Sequence, residues 1–284
     1  MTIGDAVRWT RRKLTEAGVE TAAFEARQLT AAAFSLSPDD LFSRGEDPAA
    51  AERVSRLEEM CDRRLAGEPL QYILGEWEFY GLPFYVGPGV LIPRPDTELL
   101  VEQALEALPS GGAEVLELCA GSGCISIALA KARPDCRFVA LEKSPAAYRY
   151  LTQNMRRNGA DNVTPVLGDL FEGPPALPSM VSSFACIVSN PPYIPSGELM
   201  ELDREVQREP AMALDGGGDG LDFYRAICRL WLSSLRPGGC LLVEIGRGQE
   251  REVVDLLQEA GLENMRQYRD LNGIYRVIKG TLPS

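Results

Sequence analysis

The segment Ser189-Asn190-Pro191-Pro192-Tyr193, directly after the apolar run 184–188, is the part of the chain best suited to chemistry. Two consecutive prolines remove two backbone donors and fix the chain path, so the nearby carbonyls and the Asn190 amide oxygen become rigid acceptors. Such a site suits an NH2 group. A planar nitrogen conjugated to a carbonyl or a ring is a poor nucleophile; fixed acceptors on its hydrogens orient it and offset the positive charge that grows as it is alkylated. Tyr193 adds an aromatic face for a flat substrate group. A Pro-rich loop around a buried Tyr is the alternative, and the ordered coincidence of strand, Asn, Pro pair and aromatic weighs against it. The chain contains no His. His-based triads, most zinc hydrolases and any His general base are thereby excluded, leaving carboxylates, Tyr, Lys, Cys and backbone groups.

A second constellation suits an adenosine-bearing ligand. Residues 114–130 read as a strand, a small-residue turn and a helix, with Gly121 and Gly123 allowing close backbone approach at the strand's carboxyl end. A tight turn with no ligand would use the same glycines, and Ser126 stands where a dinucleotide fingerprint has its third. Glu142, nineteen residues after Gly123, ends the next apolar run. A carboxylate there can accept both ribose hydroxyls, or simply be a solvated strand end paired with Lys143. After the third run, Asp169 can accept from an adenine amino group while Leu170 packs on the ring; a plain turn residue fits Asp169 equally.

The elements around these residues follow from periodicity. Residues 1–66 read as helices with short loops: Thr21 and Asp47 are placed as N-caps, Pro48 suits a first turn, and Val54, Leu57, Cys61 and Leu65 give one apolar face ended by Gly67. Residues 77–81 and 82–86 are short and β-rich around Tyr80-Gly81, which predicts a hairpin, and residues 87–95 form a rigid Pro/Gly connector. A helix is expected from Asp96 to about Leu108. Apolar runs at 115–118, 138–141, 163–167, 184–189 and 240–245 then alternate with stretches of crossover-helix length, the rhythm of a mostly parallel sheet covered on both faces. Asp270-Leu271-Asn272-Gly273 between two β-rich segments predicts an antiparallel edge pair.

Composition sets the outer bounds. With 45% apolar and 25% charged residues in 284, the chain has the makeup of a globular protein of one large or two modest domains. Residues 1–74 carry 10 basic and 13 acidic side chains and the remainder 19 and 28, for a net charge of -12. Neither part is a basic module, which argues against direct nucleic-acid binding. Seven Cys with no CxxC pair argue against a disulfide framework or zinc ribbon. No apolar run nears the roughly eighteen residues of a membrane span, and residues 1–13 lack a secretory apolar region, so a cytoplasmic protein is expected.

Asn190-Pro191-Pro192-Tyr193 together with the Glu117–Gly123 turn resembles the class I S-adenosylmethionine-dependent methyltransferases that alkylate planar amino nitrogens, the DNA adenine and protein-glutamine enzymes. The remainder is similar to one branch, the peptide chain release factor N5-glutamine methyltransferases (PrmC or HemK). Its matching segments are Phe79-Tyr80-Gly81, residues 92–98 (IPRPDTE), Glu209-Pro210, residues 213–221 (ALDGGGDGL), residues 242–246 (LVEIG) with Gln249, and residues 270–276. The resemblance implies an α/β fold: a seven-stranded Rossmann-like methyltransferase domain over residues 96–284, a β-hairpin linker at 76–95, and a small N-terminal all-α domain, 1–75, that docks the substrate. It implies S-adenosylmethionine as cofactor, S-adenosylhomocysteine as product and no metal. The substrate it implies is the Gln of the Gly-Gly-Gln loop in bacterial class 1 release factors, and the enzyme a monomer with neither nucleic-acid nor membrane partners. Carried over by position, Glu117, Cys119, Ala120, Gly121, Ser122, Gly123, Glu142, Asp169, Leu170 and Asn190 form the cofactor site, and Asn190, Pro191, Pro192 and Tyr193 hold the Gln side chain. Glu117 and Cys119 stand where Asp and Gly are usual, and Leu170 where an aromatic is common. A ribosomal-protein glutamine methyltransferase and a nucleic-acid adenine N6-methyltransferase, whose target base would be flipped into such a pocket, are the rival functions.

Overall fold

A computed structural model describes residues 1–174 and 183–284, and the chain forms two compact units: residues 1–76 with 203–208, and residues 77–202 with 209–284.

The first unit is helical, with α1 (Ile3–Glu16), α2 (Ala22–Phe34), α3 (Asp40–Ser43), α4 (Ala51–Leu65) and α5 (Leu70–Leu74). Thr2 and Asp5 form a reciprocal capping box on α1. Leu14, Leu29, Leu57 and Cys61 are fully buried, so the apolar stripes of α1, α2 and α4 meet. Buried among them, Glu25 takes both an Arg64 Nε bond of 2.6 Å and an Nη2 bond of 3.1 Å, and Arg64 also reaches Glu205 at 2.9 Å.

Two cap expectations fail here. The helix expected from Asp47 starts at Ala51, because Pro48 forms an antiparallel bridge with Thr2 and the Asp47 carbonyl accepts from Ile3 N at 3.0 Å. Thr21 does sit at the start of α2, but its hydroxyl donates to Glu25 Oε1 at 2.9 Å instead of capping the backbone.

The second unit opens with the hairpin β1 (Glu76–Phe79) and β2 (Leu82–Tyr85) and then alternates: α6 (Glu98–Ala107), β3 (Glu114–Leu118), α7 (Cys124–Ala132), β4 (Arg137–Glu142), α8 (Pro145–Asn158), β5 (Val163–Leu167), β6 (Phe184–Ser189), α9 (Asp222–Leu230), β7 (Leu235–Glu244), α10 (Glu250–Glu259), β8 (Glu263–Arg269) and β9 (Tyr275–Thr281). The seven-stranded sheet has the order β5-β4-β3-β6-β7-β9-β8, with β9 antiparallel to both neighbours and the other pairs parallel. Side chains alternate between two cores: Val115, Cys186, Val188 and Leu242 face one way with α6, α7 and hairpin residues Phe79 and Phe84, while Leu116, Ile187, Leu241 and Val243 face α9 and α10. The hairpin is thus part of this unit's core.

β7 begins five residues before the expected 240–245 strand. Its register on β6 shifts between Phe184 and Cys186, where a Cβ on Gly239 would lie 2.8 Å from the Arg236 carbonyl. The β8–β9 turn is closed as the sequence predicts, by Asp270 accepting from Asn272 N and Ile274 N, both at 2.9 Å.

Candidate active site

Strand order reverses between β3 and β6, which run side by side, so their carboxyl ends open the crevice in which sheets of this kind bind ligands. Ser189 Oγ ties the two ends together by donating to the Leu118 carbonyl at 2.8 Å. A cavity opens there. Of the sequence-predicted residues, Glu117, Cys119, Ala120, Gly121, Ser122, Glu142, Asp169, Leu170, Asn190 and Pro192 line it; Gly123, Pro191 and Tyr193 do not.

The turn after β3 enters left-handed backbone at three residues, Cys119 (φ 60), Gly121 (φ 55) and Gly123 (φ 80). Gly123 has a further reason to be Gly, because a Cβ there would overlap the buried Leu151 side chain from α8. Glu142 holds the turn in place: its Oε2 accepts from Gly121 N at 2.7 Å and its Oε1 from Ser144 N at 2.6 Å. Burial raises its pKa while these two backbone donors pull it down.

Glu117 is 1% exposed. Its Oε2 accepts from the Ser126 amide at 3.0 Å and from the Ser126 hydroxyl, while Oε1 has no partner among the described residues. Burial, opposed by Ser126 and reinforced by the Glu142 charge, pushes this carboxyl up to about 8. Burial likewise pushes the Cys119 thiol up, and Glu142 adds to it.

At the adenine end, burial raises the pKa of Asp169, but the 2.7 Å ion pair with Lys143 and the 3.0 Å bond from Phe171 N outweigh it, so the net shift is downward. The Leu170 carbonyl accepts from Trp231 Nε1 at 2.9 Å. Phe223 from α9 also lines the cavity and packs edge-on against Phe171 at 4.9 Å. This aromatic comes from a helix more than fifty residues beyond Leu170, and no local signal could have placed it.

Asn190 leaves β6 with its Nδ2 donating to Thr97 Oγ1 at 3.1 Å. Its Oδ1 remains an acceptor. The following loop is stapled to residues 214–220: Ile194 N donates to the Leu214 carbonyl at 2.9 Å and Gly216 N to the Ile194 carbonyl at 2.8 Å. Gln249 clasps the same loop from α10's approach, its Nε2 donating to the Tyr193 carbonyl at 3.0 Å and its Oε1 accepting from Gly246 N at 2.9 Å. The Tyr193 ring packs against the α9–α10 core, and burial, with the Glu244 charge, pushes its hydroxyl up to about 12.

Residues of the expected connector form another wall. Gly89, Leu91, Ile92, Pro93, Arg94 and Thr97 all line the cavity. The buried Glu209 carboxylate holds this wall by accepting from Ile92 N at 2.9 Å and pairing with Arg94. The sequence signal for it was the Pro-Arg-Pro stretch, whose rigidity suits a wall as well as a linker.

Residues 5–75 match the family described as PrmC N-terminal domain, and residues 95–219 the one described as Methyltransferase small domain. The release factor glutamine methyltransferase of Geobacter sulfurreducens is 45% identical over 282 residues, covering 99% of this chain and 97% of its own. That of Cereibacter sphaeroides is 41% identical over 286 residues and spans 100% of both chains. Among solved structures, the hMettl16 catalytic domain in complex with MAT2A 3′UTR hairpin 6 shares the fold, with a TM-score of 0.59 at 15% identity over 80% of this chain and 83% of its own. Because the identity to these relatives runs through the helical unit and through the sheet whose carboxyl edge carries the Asn190 cavity, the chain belongs to the release factor glutamine methyltransferase family.

Proposed function

We propose that the protein transfers a methyl group from S-adenosylmethionine to the side-chain amide nitrogen of the Gln in the Gly-Gly-Gln loop of bacterial class 1 release factors. The observation that carries this is that Asn190, its Nδ2 held by Thr97 Oγ1 at 3.1 Å and its Oδ1 left as an acceptor, lines one cavity together with the Gly121 turn. The cavity suits the cofactor. Gly121 offers backbone with nothing within 4 Å of a would-be Cβ, Glu142 is fixed with spare lone pairs for ribose hydroxyls, and the orphaned Glu117 Oε1 suits an ammonium donor. Asp169, Leu170 and Phe223 would enclose the adenine. Bound S-adenosylmethionine supplies an electrophilic methyl on a sulfonium.

The chain's own part is to orient and to stabilise. Asn190 Oδ1 accepts a hydrogen of the Gln amide, turns its lone pair toward the methyl and offsets the charge that develops on nitrogen; the Pro191 carbonyl, expected from the sequence as the second acceptor, belongs to a residue outside the cavity lining. No strong base is needed, because an N-alkylated amide cation loses its proton readily to water. The helical unit, residues 1–75, docks the body of the release factor, since one loop offers too little surface to select a single protein.

The test is incubation with methyl-labelled S-adenosylmethionine and, separately, release factor, ribosomal protein and DNA. Label should enter release factor and be lost when its Gly-Gly-Gln glutamine is replaced; label in DNA alone overturns the reading. Asn190→Ala should reduce turnover by roughly a hundredfold or more while S-adenosylhomocysteine affinity is retained.

A further inference from the structure

Asn154, in the third turn of α8, is fully buried, and its side-chain amide uses its oxygen and both of its hydrogens. Oδ1 accepts from Tyr85 N at 2.7 Å, while Nδ2 donates to the Tyr85 carbonyl at 3.1 Å and to the Ser122 carbonyl at 3.0 Å. One side chain thus joins α8, the hairpin strand β2 and the turn between β3 and α7. An Asn that only fastened a helix to a hairpin would account for the two Tyr85 bonds. It would not account for the third, which goes to Ser122, a residue of the cavity wall, from a side chain that lies outside that wall.

The turn needs such support. Turn conformations differ chiefly in which way a peptide plane faces, and left-handed residues such as Cys119, Gly121 and Gly123 open alternatives that ordinary backbone lacks. Hydrogen bonds to the planes choose among them. The Ser122–Gly123 peptide is held on both sides: Gly123 N donates to the Ala120 carbonyl at 2.8 Å, and the Ser122 carbonyl takes the Asn154 bond. Leu151, one turn before Asn154 on α8, fills the space beside Gly123, so the helix meets the turn with one apolar and one polar contact. Without the Asn154 donor the carbonyl of the buried Ser122 loses its partner, and turning the plane over relieves it at the expense of the path that receives the cofactor.

We propose that Asn154 is a positioning residue for the cofactor: by holding the Ser122 carbonyl it fixes the turn against which S-adenosylmethionine lies, and by holding Tyr85 it makes β2 part of the same support. This rests on the reading of the cavity given above. Asn190, whose Nδ2 bond goes to Thr97, is not bonded to this network, so the effect belongs to cofactor binding and not to the rate at saturation. Asn158, one turn further along α8, provides the internal comparison. Its Nδ2 donates to the Pro83 carbonyl at 3.0 Å and to the Asn154 backbone carbonyl at 3.1 Å, so it fastens β2 without bonding to the turn.

The experiment is calorimetric titration of the full chain with S-adenosylhomocysteine, alongside steady-state methyl transfer to intact release factor. Asn154→Leu, similar in size but without polar atoms, and Asn154→Asp, the same shape without the two donor hydrogens, should each weaken S-adenosylhomocysteine binding by roughly tenfold or more. KM for S-adenosylmethionine should rise to match, with kcat at saturating cofactor kept within about twofold. Asn158→Ala should lower Tm and leave the affinity unchanged. Unaltered affinity in Asn154→Leu, or the same loss of affinity in Asn158→Ala, overturns the proposal. If neither Asn154 variant folds, the unmutated chain still decides. A cofactor that binds only the held turn must suppress its release, so saturating S-adenosylhomocysteine should slow hydrogen exchange at the Asn154 side-chain amide, followed by NMR. Exchange there that does not change overturns the proposal. An unmutated chain that binds no S-adenosylhomocysteine would instead overturn the reading of the cavity itself.

Discussion

Glu142 and Glu117 show how single carboxylates divide the work at this site. Glu142 accepts from the backbone on both sides of the β3 and β4 ends, so it shapes the turn as well as facing the cavity. Replacing it with Ala removes an acceptor and leaves two amides unpaired, and S-adenosylhomocysteine binding should weaken by about 1–3 kcal/mol, read by calorimetric titration. Unchanged affinity would confine Glu142 to holding the loop. Glu117 ionises near 8 when folded, against an ordinary value of 4.5. Between those pH values the folded chain keeps a proton that the unfolded chain has released, so stability falls as pH rises through that window. Glu244, pushed to about 7, adds to the same slope. Glu117→Gln is expected to raise Tm above that of the unmutated protein at about pH 8.5, by roughly 2–4 °C for each kcal/mol of relieved burial, with the advantage vanishing near pH 4.5. Equal Tm values at both pH values would sink this assignment. That a carboxylate ends β4 was legible from the chain, and its bond from Ser144 N, two residues on, is local; that its other oxygen closes on Gly121 was not legible, because that amide reaches it only once β3 and β4 pair.

At the scale of elements, the turn between β3 and α7 depends on Gly123 for two independent reasons, its φ of 80 and the Leu151 side chain that fills the space of a Cβ. Leu151 is fully buried between helix and sheet and cannot retreat. Gly123→Ala should therefore cost about 2–4 kcal/mol in urea unfolding, the sum of a left-handed Ala and an overpacked core, and should weaken cofactor binding with it. An Ala variant of full stability would mean that α7 shifts freely at its first turn. The strand at 184–189 was readable to the residue, since a buried parallel strand is a short, nearly continuous apolar run bounded by turn residues; 163–167, the part-exposed edge strand that tolerates Thr164 and Pro165, was readable from its β-branched residues and flanking turns. The α4 start was not: Pro48 and Asp47 carry the local signals of a first turn, but the Thr2 bridge and the Ile3 hydrogen bond claim them from forty-five residues away.

On the scale of the whole molecule, the helical unit exposes Phe42 almost completely, at 96%, on the short helix α3. If this unit docks the release factor body, Phe42→Ser should raise KM for intact release factor by roughly tenfold, the worth of one partly buried aromatic, and leave KM for a short Gly-Gly-Gln peptide unchanged. A variant with unaltered KM for the whole protein would exclude α3 from the docking face. Residues 203–208, which the chain order places inside the methyltransferase segment, belong to the helical unit, where Glu205 meets Arg64. Nothing in the sequence marks that excursion. Residue types and local order were enough to establish the alternating strands and helices, the Gly turn, the Asn-Pro-Pro-Tyr acceptors and the absence of any His base, because each depends on chain stiffness, side-chain period or chemistry carried within a few residues. The Pro93–Thr97 wall, Phe223 beside Leu170, the Gln249 clasp and the Thr97–Asn190 bond were decided only by the tertiary structure, since each joins residues that are far apart in the chain and become neighbours through the crossing of β3, β6 and β7 in one sheet.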